Sequence, residues 1–236
     1  MHRHLFILLL LSLSFQKLFA QNLVPNPSFE DYKNLPCSWN ISVDEFPAYV
    51  ASWYVPNNTS TDIHSTLVDQ SCWANPTNPN TDADCKPGSQ LPHTGDVMAG
   101  LYTVVNTHLW HEYLQVKLSQ PLIPGQRYCV QMFVSAADNA TNTSNNIGMF
   151  FSVDPIKGDD AIVAKPQINR DEPVTDIEGW TLVSGSYIAE TAAEYLTIGN
   201  FFTDEETIEV PILNGPACTD GAYFYIDDIS VTLCPI

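Results

Sequence analysis

From about residue 95 onward, apolar and polar residues alternate with a period of two, and no segment sustains the 3.6-residue period of an amphipathic helix. Such a chain has to bury strands on one face. Leu114, Val116 and Leu118 share a face opposite Gln115 and Lys117. Tyr128, Val130, Met132 and Val134 repeat the pattern after Pro124-Gly125, followed by Ile147, Met149, Phe151 and Val153, and finally by Ile229, Val231 and Leu233. Gly, Asp, Asn or Pro bound three further expected strands, at 97–104, 180–189 and 194–202. The fold class read from this pattern is all-β, built as a sandwich.

Residues 1–20 read as a secretory signal peptide: Arg3 lies in a short basic start, an apolar run covers 5–13, and Ala20 precedes a cleavage point at Gln21. The apolar run is shorter than the ~20 residues that span a bilayer. No linker and no internal repeat divides the rest, so 21–236 is expected to be a single domain. Losing Arg3 and Lys17 with the leader leaves 7 basic against 27 acidic side chains, a formal charge of −20. A surface of that sign repels phosphate backbones and anionic headgroups, which argues against nucleic-acid partners and against membrane insertion, but it leaves neutral sugars and divalent cations free to approach.

All six cysteines, Cys37, Cys72, Cys85, Cys129, Cys218 and Cys234, follow the leader. An even number in an exported chain favours disulfides, and no Cys-x-x-Cys or interleaved histidine spacing supports a zinc site. Spacing leaves the connectivity open; the one pairing expected is Cys37 with Cys72, across a long early loop. Between Cys72 and His93 the sequence is rich in Asn, Pro and Thr, with Pro76, Pro79, Pro87 and Pro92, and reads as a long loop.

The mature chain opens with Asn26-Pro27-Ser28-Phe29-Glu30 and closes with Tyr223-Phe224-Tyr225-Ile226-Asp227-Asp228-Ile229-Ser230-Val231. Antiparallel sandwiches often set their first and last strands side by side, which would bring Glu30 near Asp227 and Asp228. With the tryptophan-bearing strand at Trp53, these segments resemble the galactose-binding-like jelly rolls, two antiparallel sheets in a β-sandwich, including the carbohydrate-binding modules of the cellulose- and xylan-binding type. Gly95-Asp96-Val97-Met98-Ala99-Gly100-Leu101-Tyr102, Glu112-Tyr113-Leu114-Gln115-Val116 and Ile198-Gly199-Asn200-Phe201 are closer to a subgroup of jelly rolls at the N-terminus of bacterial cell-surface proteins. The resemblance covers nearly the whole mature chain. It implies a structural Ca2+ held by Glu30 and by Asp227 or Asp228, with carbonyls completing six to eight oxygens. Strand parity puts Asp227 on the face of Ile229 and Val231 unless a bulge intervenes.

Sugar binding needs aromatic rings for the apolar face of a pyranose and polar groups for its hydroxyls. Trp73, Trp110, Tyr102 and Tyr113 are the candidate ligand-binding residues, with Trp73 and Trp110 in polar, loop-like contexts. Trp53 and Trp180 fall in strand-like segments and read as core. Three other patterns fail. Asn80, Asp82 and Asp84 open like a calcium loop, but Cys85 stands where glycine is required and Leu91 where glutamate is required. His111-Glu112 is followed by Gln115 where a zinc-protease helix needs its second histidine, so His108 and His111 read as a surface pair. Asp138, Asn139 and Asn146 read as turn residues. No catalytic motif is present.

The expectation is therefore a secreted or cell-surface, non-catalytic binding module for carbohydrate. The alternative is an adhesion or assembly domain that binds another cell-envelope protein without a sugar site.

Overall fold

The computed structural model describes residues 21–39, 43–77, 86–105, 111–158, 161–212 and 219–235. The signal-peptide reading, the 80–84 acidic run and Trp110 lie outside them. One short helix, α1 (Phe46–Tyr49), opens a succession of strands: β1 (Trp53–Tyr54), β2 (Asp62–Ser65), β3 (Val97–Val104), β4 (Tyr113–Lys117), β5 (Arg127–Ala136), β6 (Ala140–Ser144), β7 (Ile147–Ser152), β8 (Ile168–Asn169), β9 (Thr181–Ile188), β10 (Tyr195–Asn200), β11 (Glu209–Pro211) and β12 (Thr219–Leu233). They form two sheets. The smaller has the order β1-β4-β10-β7-β8, all antiparallel.

The larger sheet is organised by β12, which pairs with β3 on one side and with β5 on the other. Its start also lies parallel to β6, while β2 extends the sheet beyond β3, β9 beyond β5 and β11 beyond β6. The apolar alternation explains the sandwich. Leu114 and Val116 of β4, Met149 and Phe151 of β7, and Leu196 and Ile198 of β10 meet Val97, Ala99 and Leu101 of β3 and Phe224, Ile226 and Val231 of β12 in one buried core. Trp53, fully buried against Phe29 at 5.1 Å, closes one end of it, and its indole Nε1 donates to Asn26 O at 2.8 Å.

The expected neighbourhood of the two chain ends is present. Leu23 N donates to Val231 O at 2.8 Å and Ile229 N to Pro27 O at 2.9 Å, and the Asn22 side chain bonds both Ile229 O and Val231 N. Cys37 pairs with Cys72 as expected from sequence, and Cys129 with Cys234; Cys85 and Cys218 lie outside the described residues. Two disulfides fit an oxidising compartment. No described helix is long and apolar enough to cross a membrane.

The larger sheet is also buried on its outer face where β3 and β12 run. Met98, Ala137, Ala140, Tyr223 and Tyr225 form a second cluster there, with Tyr102, Trp180 and Ile212 packed against it. Gly100 makes this possible. A Cβ at that position would lie 2.1 Å from the Tyr223 hydroxyl oxygen, so only glycine lets the tyrosine ring cross β3. Gly100→Ala is accordingly expected to cost about 1–3 kcal/mol in denaturant unfolding, as overpacking of a filled site does, whereas Gly158→Ala, with open space at its Cβ, meets no clash.

Candidate functional site

Two groups of side chains stand out once the fold is in place. One is the outer face of the larger sheet with the segments that cover it; the other is a pair of tryptophans at its margin.

The covering segment, residues 86–97, is held mainly by polar side chains gripping its backbone. Asn139 Nδ2 donates to Lys86 O at 2.9 Å, and Asp138 Oδ1 accepts from Ser89 N at 2.8 Å. Gln90 Nε2 reaches Ser135 Oγ at 2.7 Å, and Trp180 Nε1 donates to Leu91 O at 3.1 Å. Next come the acids singled out in the sequence. Asp228 carries His93 Nδ1 at 2.6 Å and Thr94 Oγ1 at 2.8 Å; Asp227 Oδ2 accepts from Thr94 N at 3.1 Å; Glu30 Oε1 accepts from Asp96 N at 2.7 Å and Val97 N at 2.9 Å. Gly95, at φ +65°, sits on the Glu30 carboxylate with no room for a Cβ, which would fall 2.2 Å from Oε1.

All three expected metal ligands thus converge on one short segment, but as acceptors for its N–H and O–H groups. Among the described residues no three His, Cys, Asp or Glu side chains gather in a geometry that holds a metal ion by themselves. A cation there would have to draw most of its oxygens from carbonyls. The parity of β12 is corrected by a bulge. Asp227 pairs with Phe133 while Ser230 pairs with Gln131, so one extra residue sits on β12, with Asp228 in the left-handed region at φ +49°. Asp227 therefore continues the outer face of Tyr223 and Tyr225, and Ile229 and Val231 turn back to the inner core. Burial, and then the neighbouring Asp228 carboxylate, push the Asp227 carboxyl up to about 8.

Further along the same face lies a buried polar network. Tyr223 donates its hydroxyl hydrogen to Asp62 Oδ2 at 2.9 Å, and His64 Nε2 lies 2.9 Å from that hydroxyl. His64 is pushed down to about 3 by burial and by the Lys86 ammonium, so its ring is neutral. Glu112, buried, accepts from Tyr102 N at 2.9 Å and from Ser60 Oγ at 3.3 Å. Its carboxyl is raised, first by burial and second by the Asp62 charge. A raised acid favours the folded state most at low pH, and that contribution fades as pH climbs from the ordinary carboxylate range through the raised value. Asp227 adds a fall of the same sign, and His64, held neutral, an opposing rise that ends near pH 6.5. Thermal unfolding is therefore expected to show stability falling between about pH 6.5 and pH 8, with up to about 1.4 kcal/mol per pH unit of that slope due to Glu112. Glu112→Gln, which keeps an acceptor for Tyr102 N, should remove that share and leave the part due to Asp227.

Of the four expected ligand-binding residues, Trp110 lies outside the described residues. Tyr113 is fully buried, its hydroxyl donating to Asn200 O at 2.6 Å, and has no surface to offer a ligand. Tyr102 is half-buried, edge-on to Tyr223 at 4.9 Å. Trp73 is half-buried and backed by the His64 ring at 5.2 Å. Beside it stands a residue the sequence reading passed over: Trp39, 55% exposed, its ring centre 6.5 Å from that of Trp73 and inclined by 46°. The cysteines Cys37 and Cys72, bonded to each other, precede these tryptophans by two residues and one. That spacing in the sequence was the available signal.

His111 is not the expected surface histidine. It is buried, with Nε2 2.8 Å from Asp204 Oδ1 and Nδ1 3.1 Å from Asn200 O, and it lines a cavity of about 180 Å³ together with Ala161, Val163, Thr203, Asp204 and Glu205.

No protein-family model matches the chain, and no curated protein matches its sequence. Solved structures do. The chain is similar to the CBM22-1 xylan-binding domain of Paenibacillus barcinonensis, at 12% identity and a TM-score of 0.45, with 92% of this chain and 97% of that one covered. It is similar to the K2 cleaved adhesin domain of Lys-gingipain, at 10% identity and TM-score 0.46, covering 88% and 97%. A Stig cyclase from Fischerella sp. TAU is similar at 9% identity and TM-score 0.47, covering 91% and 97%. The two-sheet jelly-roll sandwich, the architecture of such modules, rests here on the strand pairing described above.

Proposed function

We propose that this chain is an exported, non-catalytic carbohydrate-binding module whose ligand platform is the Trp39–Trp73 pair. The observation that carries the reading is a large aromatic surface left in water yet held in place. Trp39 is 55% exposed, its neighbour Trp73 is braced from behind by His64, and both sit next to the Cys37–Cys72 bond. Exposed indoles in a fixed pose suit the C–H face of a sugar ring, and the exposed Asp69 and Ser71 on the same loop supply hydroxyl partners. Such a platform needs no catalytic group. The mature chain's formal charge of −20, 7 basic against 27 acidic side chains, excludes polyanionic ligands from the proposal and leaves neutral glycans.

The test is binding to a panel of neutral plant and bacterial polysaccharides by affinity electrophoresis or calorimetry. Trp39→Ala and Trp73→Ala should each weaken binding by about tenfold or more, the scale of one lost stacking contact of 1–2 kcal/mol. Trp53→Ala would instead unfold the core. If no glycan binds, or if both surface tryptophan variants bind like the parent, the platform is not a sugar site.

A structural calcium at Glu30, Asp227 and Asp228 belongs to the same proposal. Its support is chemical: Asp227 is a fully buried carboxylate with an acidic neighbour, and a divalent ion drawing on adjacent carbonyls would offset both charges. Protein loaded with calcium and then treated with chelator at pH 8 should lose several degrees in Tm, with recovery on adding calcium back. An unchanged Tm would leave these acids as clamps on Thr94–Val97 alone.

A further inference from the structure

Sheet edges are templates for pairing, and proteins ordinarily shorten, charge or cover them. This fold does so at most of its edges. β1 and β8 are two residues long; β11 is three and ends on Pro211; β2 is four, and the loop folds back on its last residue, Ser65 N donating to Ala74 O. β9 is different. It runs for eight residues, Thr181–Ile188, pairs with β5 on one side, and has no hydrogen-bonded strand on the other among the described residues, β8 of the facing sheet touching it through Ile168 over Gly185. Its sequence, Thr-Leu-Val-Ser-Gly-Ser-Tyr-Ile, contains no charge and no proline. Leu182 and Ile188 are 45% and 49% exposed, on the same face as the exposed Ser184 and Ser186.

The charges around this edge select its occupant. Asp176 and Glu178 precede the strand and Glu190 follows it, all exposed, in a chain with three times as many acidic as basic residues. A cation on the paired strand, Arg127 of β5, is turned onto Ser186 Oγ at 3.0 Å. A second copy of this chain fits poorly. Antiparallel pairing of two β9 edges about their centre brings Glu178 of one copy to within a residue of facing Glu190 of the other, and like charges set opposite one another destabilise a ladder.

We propose that the free edge of β9 is a docking site for an extended segment of another polypeptide, uncharged and β-branched at its centre and basic at both ends, added as a further antiparallel strand. Main-chain hydrogen bonds supply the affinity of such strand addition, and the flanking acids set direction and partner choice. This site is separate from the tryptophan platform.

The test uses the mature chain and a synthetic peptide, Lys-Lys-Thr-Val-Thr-Val-Thr-Val-Lys-Lys, with a twin carrying Glu in place of each Lys. The basic peptide should slow amide hydrogen exchange across Thr181–Ile188 by about tenfold and leave the β2 and β11 edges unchanged. The acidic twin should bind about tenfold more weakly, and added salt should narrow the gap. Ser184→Lys with Ser186→Lys, both at exposed positions, should abolish protection by the basic peptide while glycan binding is retained. Should that variant fail to fold, the comparison of the two peptides on the unaltered chain still decides. Absence of protection in β9, or equal binding of the two peptides, overturns the proposal. So does concentration-dependent dimerisation in sedimentation that the double lysine variant removes, since it makes a second copy the occupant.

Discussion

The structure depends on β12 being buried on both faces. Its inner face, Ala222, Phe224 and Ile226, carries the core, while its outer face, Tyr223, Tyr225 and Asp227, lies under the loop that ends at Val97. A strand in that position cannot leave a polar group without a partner cheaply, because burial withdraws the water that would otherwise bond it. The Tyr223–Asp62–His64 chain and the donors to Asp227 answer that demand for two of the three outer side chains, and Tyr225 alone leaves it unmet. The bulge after Asp227 is part of the same solution. It lets the acid stay with the tyrosines and returns Ile229 to the apolar layer, which a regular strand of this sequence does not do.

Covering the outer face has a second effect. The loop is attached by side chains that accept or donate to its main chain and also by packing: Pro87 and Val97 are buried and the His93 ring stacks on Phe133 at 3.7 Å, while Leu91 is 60% exposed. Its attachment therefore combines burial near its two ends with oriented hydrogen bonds, several of them to carboxylates, which are the stronger kind. Tyr225 and Asn139 each leave one side-chain oxygen beneath it without a hydrogen-bond partner. The aromatic surface available to a ligand is displaced to the margin, where Trp39 and Trp73 stand.

β3, β4, β5, β7, β9, β10 and the end of β12 were legible because period-two alternation is a direct image of a half-buried sheet; β3 itself was read at its observed bounds, 97–104. β2 and β6 were not. Asp62–Ser65 and Ala140–Ser144 are polar sequences whose residues are nonetheless mostly buried, and polar patterning gives no period to read. The Cys37–Cys72 bond was legible from the loop it closes. Asp227 was placed on the wrong face because parity fails at a bulge, and a bulge has no signature here beyond a left-handed Asp228, a residue type that tolerates that conformation. Trp39 was missed since exposure is a property of tertiary packing, and Tyr113 was over-read for the same reason.

The order of synthesis gives β12 one more meaning. The strand that joins β3, β5 and β6 is made after all of them, so the larger sheet has no centre while the ribosome is still at work. A nascent chain whose keystone arrives so late stays loose during translation. The sheet therefore consolidates only once its last strand is available, and the Cys129–Cys234 bond, which ties β5 to the end of β12, can close only then.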